Sequence, residues 1–224
     1  MLINQLMKSL MLCIGVLFLN NIGITMAQVT NNSSYIYDFN KPSDRQLAMS
    51  QGHLGYGKDA VAMATREFGR ELSPMESLLI KHEGFTTRPY LDTKNIKTIG
   101  VGQVGSYYDP LDIKGGFERA FADKVASTKS TFGDAYDLAD DLKKGALLSL
   151  VYRGDTKSKT SGNTYKWVDK FKKAQKSGDA VELDDAFNEF WDNKEYKELL
   201  SKNPSSGVLA RIRENSQILF GETK

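Results

Sequence analysis

Residues 73–105 read SPMESLLIKHEGFTTRPYLDTKNIKTIGVGQVG, and the fold turns on how this stretch is parsed. Ser73, Pro74 and Glu76 combine an N-cap hydroxyl, a proline at the first helical position and the glutamate that closes a capping box. Met75, Leu78 and Leu79 carry the helix on to Glu83, and Gly84 supplies the stop. Tyr90 and Leu91 then lead into the polar turn Asp92-Thr93-Lys94-Asn95, and Ile96 to Ile99 lead out of it. That is the pattern of a β-hairpin, with Gly100, Gly102 and Gly105 permitting tight backbone geometry behind it.

Beyond the hairpin the chain reads as helical. Residues 117–127 repeat apolar side chains every three or four positions, and residues 141–152 are apolar enough for a central buried helix. Trp167, Val168, Phe171 and Ala174 form one face of another helix, stopped by Gly178. Leu183, Phe187, Phe190 and Trp191 mark the next, and Val208 to Phe220 the last. One small hairpin lobe followed by about five helices predicts an α+β fold.

Toward the amino end the signals change. Residues 58–70 fit a short helix with Val61, Ala64, Thr65 and Phe68 on one face, whereas residues 28–57 are rich in Asn, Ser, Gln and Gly. Residues 28–71 are therefore expected to be a linker or arm of unknown role, ahead of a domain at 72–222. Gly52–Lys58 looks superficially like a phosphate loop but lacks its spacing and its Ser or Thr. Residues 1–27 have the order of a secretory signal, or of a signal-anchor if uncleaved. Lys8 precedes an apolar run at 10–19, and Thr25-Met26-Ala27 ends on a small residue. That run is shorter than the ~20 residues of a spanning helix. Export to the periplasm or beyond follows as an expectation, with transient contact with the inner membrane through this segment.

Composition narrows the function classes. Of 224 residues, 40% are hydrophobic and 26% charged, ordinary for a globular protein. Thirty Lys and Arg balance 28 Asp and Glu, which argues against nucleic acid as the partner. Cys13 is the sole cysteine, and His53 and His82 lie far apart in sequence, so neither a disulfide framework nor a metal site is expected. Charge is segregated: residues 143–176 hold ten Lys or Arg against two Asp, and residues 179–198 hold eight acids against two Lys. This fits either two solvated helix faces or a basic surface that attracts an anionic polymer.

Three side chains carry candidate chemistry. Glu83 faces the negative end of a helix dipole, which favours the protonated form a general acid needs. Asp92 is placed in a turn whose backbone N–H groups can hydrogen-bond its carboxylate. An acid and a base drawn from two carboxyls is the arrangement glycoside hydrolysis uses. Each residue alone also has an ordinary structural reading: a helix end, a turn Asp and, for Thr98, a strand position.

Glu83-Gly84-Phe85, Tyr90-Leu91-Asp92 and Thr98-Ile99-Gly100-Val101-Gly102 together resemble the signature of the phage-type (T4-like) lysozymes, glycoside hydrolase family 24. Ala146–Gly154 is similar to that family's central helix, and Gly207–Phe220 to its Arg-rich final helix. The resemblance implies a small β-hairpin lobe and a mainly helical lobe with a cleft between them. It implies a peptidoglycan muramidase that cleaves, without a cofactor, the β-1,4 bond between N-acetylmuramic acid and N-acetylglucosamine. Glu83 would protonate the glycosidic oxygen, Asp92 would stabilise developing positive charge and help activate water, and Thr98 would position that water. Gly102, Gln103 and Arg211 are the expected substrate-side residues. Gln103 replaces a His common in the family, and either Arg211 or Arg213 is expected to approach Glu83. The implied setting is phage-driven lysis or wall penetration by a monomer, unless the protein is part of a virion. A pesticin-like bacteriocin, a catalytically silent wall-binding or virion module, and a lytic transglycosylase remain open.

Overall fold

The computed structural model describes residues 35–157 and 162–224. The expected signal segment at 1–27 lies outside the described residues. The chain divides into Met1–Tyr35 and Ile36–Lys224, and the fold is that of the second unit. It is mixed α+β, a small sheet with a larger helical part. No helix among the described residues is long and apolar enough to cross a membrane.

Strand β3 (Phe85–Leu91) is the centre of the sheet. On one edge lies β4 (Lys97–Gly100), antiparallel, with Tyr90 opposite Thr98 and Leu91 opposite Lys97. The other edge is shared by two short strands. Parallel β1 (Tyr37–Asp38) pairs with Tyr90 and Leu91, and antiparallel β2 (Leu54–Gly55) pairs with Thr86 and Phe85. The expectation that residues 28–71 form a linker is therefore corrected for 36–71. Between β1 and β2 runs α1 (Pro42–Ser50), and after β2 comes α2 (Gly57–Phe68). The polar composition of this region misled because its strands are two residues long, too short for a period-2 pattern to register. Its burial comes from Tyr37, Phe39, Ala48 and Leu54, which form a small core of their own against Tyr90. On α2 the buried face is Ala60, Met63, Ala64 and Phe68, with Val61 and Thr65 at its margin.

Helix α3 (Pro74–Glu83) starts as its sequence predicts. Ser73 Oγ accepts from Glu76 N, and the Glu76 carboxylate accepts from Ser73 N at 2.8 Å. Arg70 clamps the same carboxylate, its Nη2 lying 2.6 Å from Oε1. Five further segments match the helical periodicity: α4 (Ile113–Phe132), α6 (Asp141–Arg153), α7 (Lys166–Ser177), α8 (Ala180–Trp191) and α10 (Gly207–Phe220). Besides α1, the short helices α5 (Asp134–Leu138) and α9 (Lys194–Lys202) have no counterpart in the sequence reading.

Two large cores share α3 and α6. Leu78, Leu147 and Leu150 belong to the helical core around Trp167, Phe171, Phe190 and Trp191. Leu79, Ile80 and Leu148 belong to the core beneath the sheet, with Phe68, Phe85, Ile99 and Phe117. Helix α3 thus presents one side to each core. Close approach of α6 to α3 depends on Gly145, because a Cβ there would lie 3.2 Å from Met75 Cα. The segregated charges also meet: across α7 and α8, Lys170 pairs with Glu189 at 3.5 Å and Lys173 pairs with Glu182.

Candidate active site

Glu83 closes α3 at the C-terminal end, and Gly84 follows with φ 82°, a left-handed value that favours glycine. The Glu83 side chain is 19% exposed, and Arg211 Nη1, from α10, donates to its Oε1 at 2.5 Å. Burial pushes the Glu83 carboxyl up from its ordinary value, and nearby Asp155 adds to this; Arg211 and Arg153 oppose it. Burial lowers Arg211 in turn. Arg211, not Arg213, is the arginine that reaches Glu83; Arg213 instead donates to the carbonyls of Pro204 and Lys224.

Asp92 sits in the β3–β4 turn. Its Oδ1 accepts from Lys94 N at 2.8 Å and from Ile96 N at 2.9 Å, the local bonding expected of a turn aspartate. Its own N–H donates to Ile96 O at 3.0 Å. Thr98, on β4, is 3% exposed, and its hydroxyl donates to Ile96 O at 2.9 Å. Because side chains alternate along a strand, Asp92, Tyr90 and the cross-strand Thr98 share one face of the hairpin.

Burial raises the Tyr90 phenol, and Tyr152 and Tyr56, then Asp92 and Glu83, add to that rise. Tyr152, at the end of α6, is raised by burial and by Glu83. Its hydroxyl donates to Val101 O at 2.7 Å. Beside them Arg153 Nε lies 2.7 Å from Asp155 Oδ2, a pair in which the Asp155 side chain is only 2% exposed. Tyr90, Tyr152, Arg153 and Asp155 were missed as candidates. Tyr90 stood in the quoted motif itself, and Arg153 in the segment likened to the family's central helix.

Of the expected substrate-side residues, Arg211 reaches the acid. Gly102 is exposed at the loop, where a Cβ would lie 3.2 Å from the Tyr152 hydroxyl. Gln103 is corrected: it is 3% exposed and faces the interior. Its Oε1 accepts from Val101 N, and its Nε2 donates to Ile113 O, both at 2.9 Å. A side chain whose amide is spent tying the loop after β4 to the start of α4 holds that loop and offers nothing to a sugar. Among the described residues no group of three or more His, Cys, Asp or Glu side chains could hold a metal ion.

Behind the acid lies a buried polar cluster. His82 Nδ1 is 2.9 Å from Ser149 Oγ, and Nε2 is 3.1 Å from Glu214 Oε2. Burial depresses His82 from 6.5 to about 4.

No family profile and no curated protein matches the sequence. Among solved structures, the chain is similar to the active form of the P1 phage endolysin Lyz. The TM-score is 0.47 at 18% identity, over 72% of this chain and 94% of that one.

Proposed function

We propose that the protein is a peptidoglycan muramidase, hydrolysing the β-1,4 bond between N-acetylmuramic acid and N-acetylglucosamine. The observation that carries this reading is Glu83: a mostly buried carboxyl whose proton affinity is raised by burial, at the end of a helix beside a hairpin bearing Asp92 and Thr98. A carboxyl whose proton affinity is raised by burial is suited to donate to a glycosidic oxygen as the bond breaks. Arg211 then meets the carboxylate formed by that donation. Asp92, more open and held by two backbone N–H groups, offers a negative charge to an oxocarbenium-like centre and a base to the attacking water. Thr98 retains acceptor capacity after its donation to Ile96 and helps to orient that water. The reaction requires no cofactor.

The spacing of Glu83, Asp92 and Thr98 supports this reading, as does their resemblance to the phage-type lysozymes. The similar P1 protein is an endolysin, in keeping with a role in phage-driven lysis. Export through the amino-terminal segment would bring the enzyme to its substrate. A fusion of the full chain to a reporter tests this: a reporter that stays soluble in the cytoplasm refutes export.

Glu83→Gln is the test of chemistry. It should lower release of glycan fragments from purified peptidoglycan by at least ~10²-fold, the scale of general acid catalysis. Near-full activity in that variant refutes the assignment. The products decide the reaction: hydrolysis leaves reducing ends, whereas a transglycosylase leaves anhydromuramic ends.

A further inference from the structure

The amino-terminal segment is built against the hairpin that carries Asp92. Phe39 N donates to Leu91 O at 3.0 Å, extending the parallel pairing of Tyr37 with Tyr90 and Asp38 with Leu91. The Phe39 ring stacks on Tyr90, centroids 4.1 Å apart and planes 21° from parallel. One residue on, Asn40 Nδ2 lies 3.1 Å from Asp92 O and 3.1 Å from Asn95 Oδ1. Asn40 is itself held, since Asp38 Oδ1 accepts from its backbone N and from Nδ2, each at 3.0 Å. Two N–H bonds serve three acceptors here, so one is shared, and the amide reaches both ends of the turn beside which Lys94 N–H and Ile96 N–H hold the Asp92 carboxylate. Asn95, at φ 59°, is the non-glycine among the described residues with a left-handed backbone. Asparagine is among the non-glycine residues that tolerate this conformation best, and its Oδ1 is the acceptor that Asn40 reaches.

We propose that Asn40, seated by Phe39, is a positioning residue for Asp92: it fixes the β3–β4 turn so that the carboxylate is presented in one geometry. This rests on the reading of Asp92 as a catalytic residue. The consequence is that residues 36–56 belong to the catalytic unit and do not merely precede it. A carboxylate that must face a developing charge loses rate when its turn drifts, even though substrate still binds.

The test compares Asn40→Ala and Asn40→Gln in the full chain with the wild type. Two readouts are followed: hydrogen exchange at the Lys94 and Ile96 amides, and turnover of soluble uncross-linked glycan strands. Asn40→Ala should exchange faster at both amides and lose about tenfold in kcat, with KM changed less than about twofold. Asn40→Gln, which keeps an amide donor, should recover part of both. Melting temperature should be unchanged in each, because the bonds are solvent-exposed. Unchanged exchange and unchanged kcat in Asn40→Ala overturn the proposal. Faster exchange at full kcat also overturns it, since the grip would then have no bearing on the reaction. Failure of the underlying reading looks different: Asp92→Asn would keep full activity while Asn40→Ala still loosened the turn.

Discussion

Glu83 sits where its surroundings disfavour its charged form. At a helix C-terminus, mostly buried, its charged form is disfavoured by the dipole and by lost hydration; Arg211 recovers part of the cost. Its folded-state proton affinity is raised above the 4.5 of the free group. Its contribution to stability is therefore fully present below that value and is lost as pH rises through the raised folded value. Glu83→Gln, which never ionises, should be as stable as wild type near pH 4 and more stable at pH 8, as read from urea midpoints. Equal midpoints at both values would mean that Glu83 ionises in the folded chain as freely as in the unfolded one. The neighbouring His82 works in the other sense. Its folded value is depressed from 6.5 to about 4, so the stability of its neutral form is present above 6.5 and lost as pH falls toward 4. At one pH unit per ~1.4 kcal/mol, up to roughly 3 kcal/mol is at stake in that window. His82→Asn, with no titrating group, should flatten the fall in stability between pH 6.5 and 4. A fall as steep as that of wild type would assign it to other groups.

At the scale of elements, α3 is the component that sets the acid in place. Its start is fixed by the reciprocal bonds of Ser73 and Glu76 and by the Arg70 clamp; its end is fixed by Gly84. Ser73→Ala should cost about 1 kcal/mol, as loss of an N-cap does. Glu76→Ala should cost more, because it removes the acceptor for both the cap and Arg70. A chemical denaturation series checks the order, and a smaller loss at Glu76 than at Ser73 would show that Arg70 adds nothing. This helix is legible in the sequence because caps, proline and glycine act within a few residues of one another. The hairpin was legible for the same reason: its turn chemistry lies in consecutive residues. Strands β1 and β2 were not, since each is two residues long and takes its pairing from β3, far along the chain. Helices α5 and α9 are likewise short, and neither carries a repeating apolar face long enough to mark it.

For the whole molecule, the segregated charges read differently once folded. The basic helix α7 packs on the acidic helix α8, and Lys170 and Lys173 are met by Glu189 and Glu182. The field of this surface is therefore weaker than the count of lysines implies. Activity on intact walls should decline only gradually as salt approaches ~1 M, where the Debye length shrinks to about 3 Å. A steep decline at low salt would return the lysines to the role of an anion-attracting surface.

The sequence by itself determined the α+β class, the position of α3, the turn at Asp92 and the choice of Glu83, Asp92 and Thr98 as candidates. All of these depend on contacts between residues near in the chain, or on the resemblance of a short motif. Only the tertiary structure decided that Arg211 rather than Arg213 meets Glu83 and that Gln103 faces the interior. Only it showed that Tyr37–Asp38 and Leu54–Gly55 pair with β3 and that Asn40 donates to Asp92 O. The physical reason is separation: Glu83 and Arg211 lie 128 residues apart, and Asn40 and Asp92 lie 52 apart. No local preference records such pairs, because they exist only after the cores on either side of α3 and α6 have packed and brought the distant segments together.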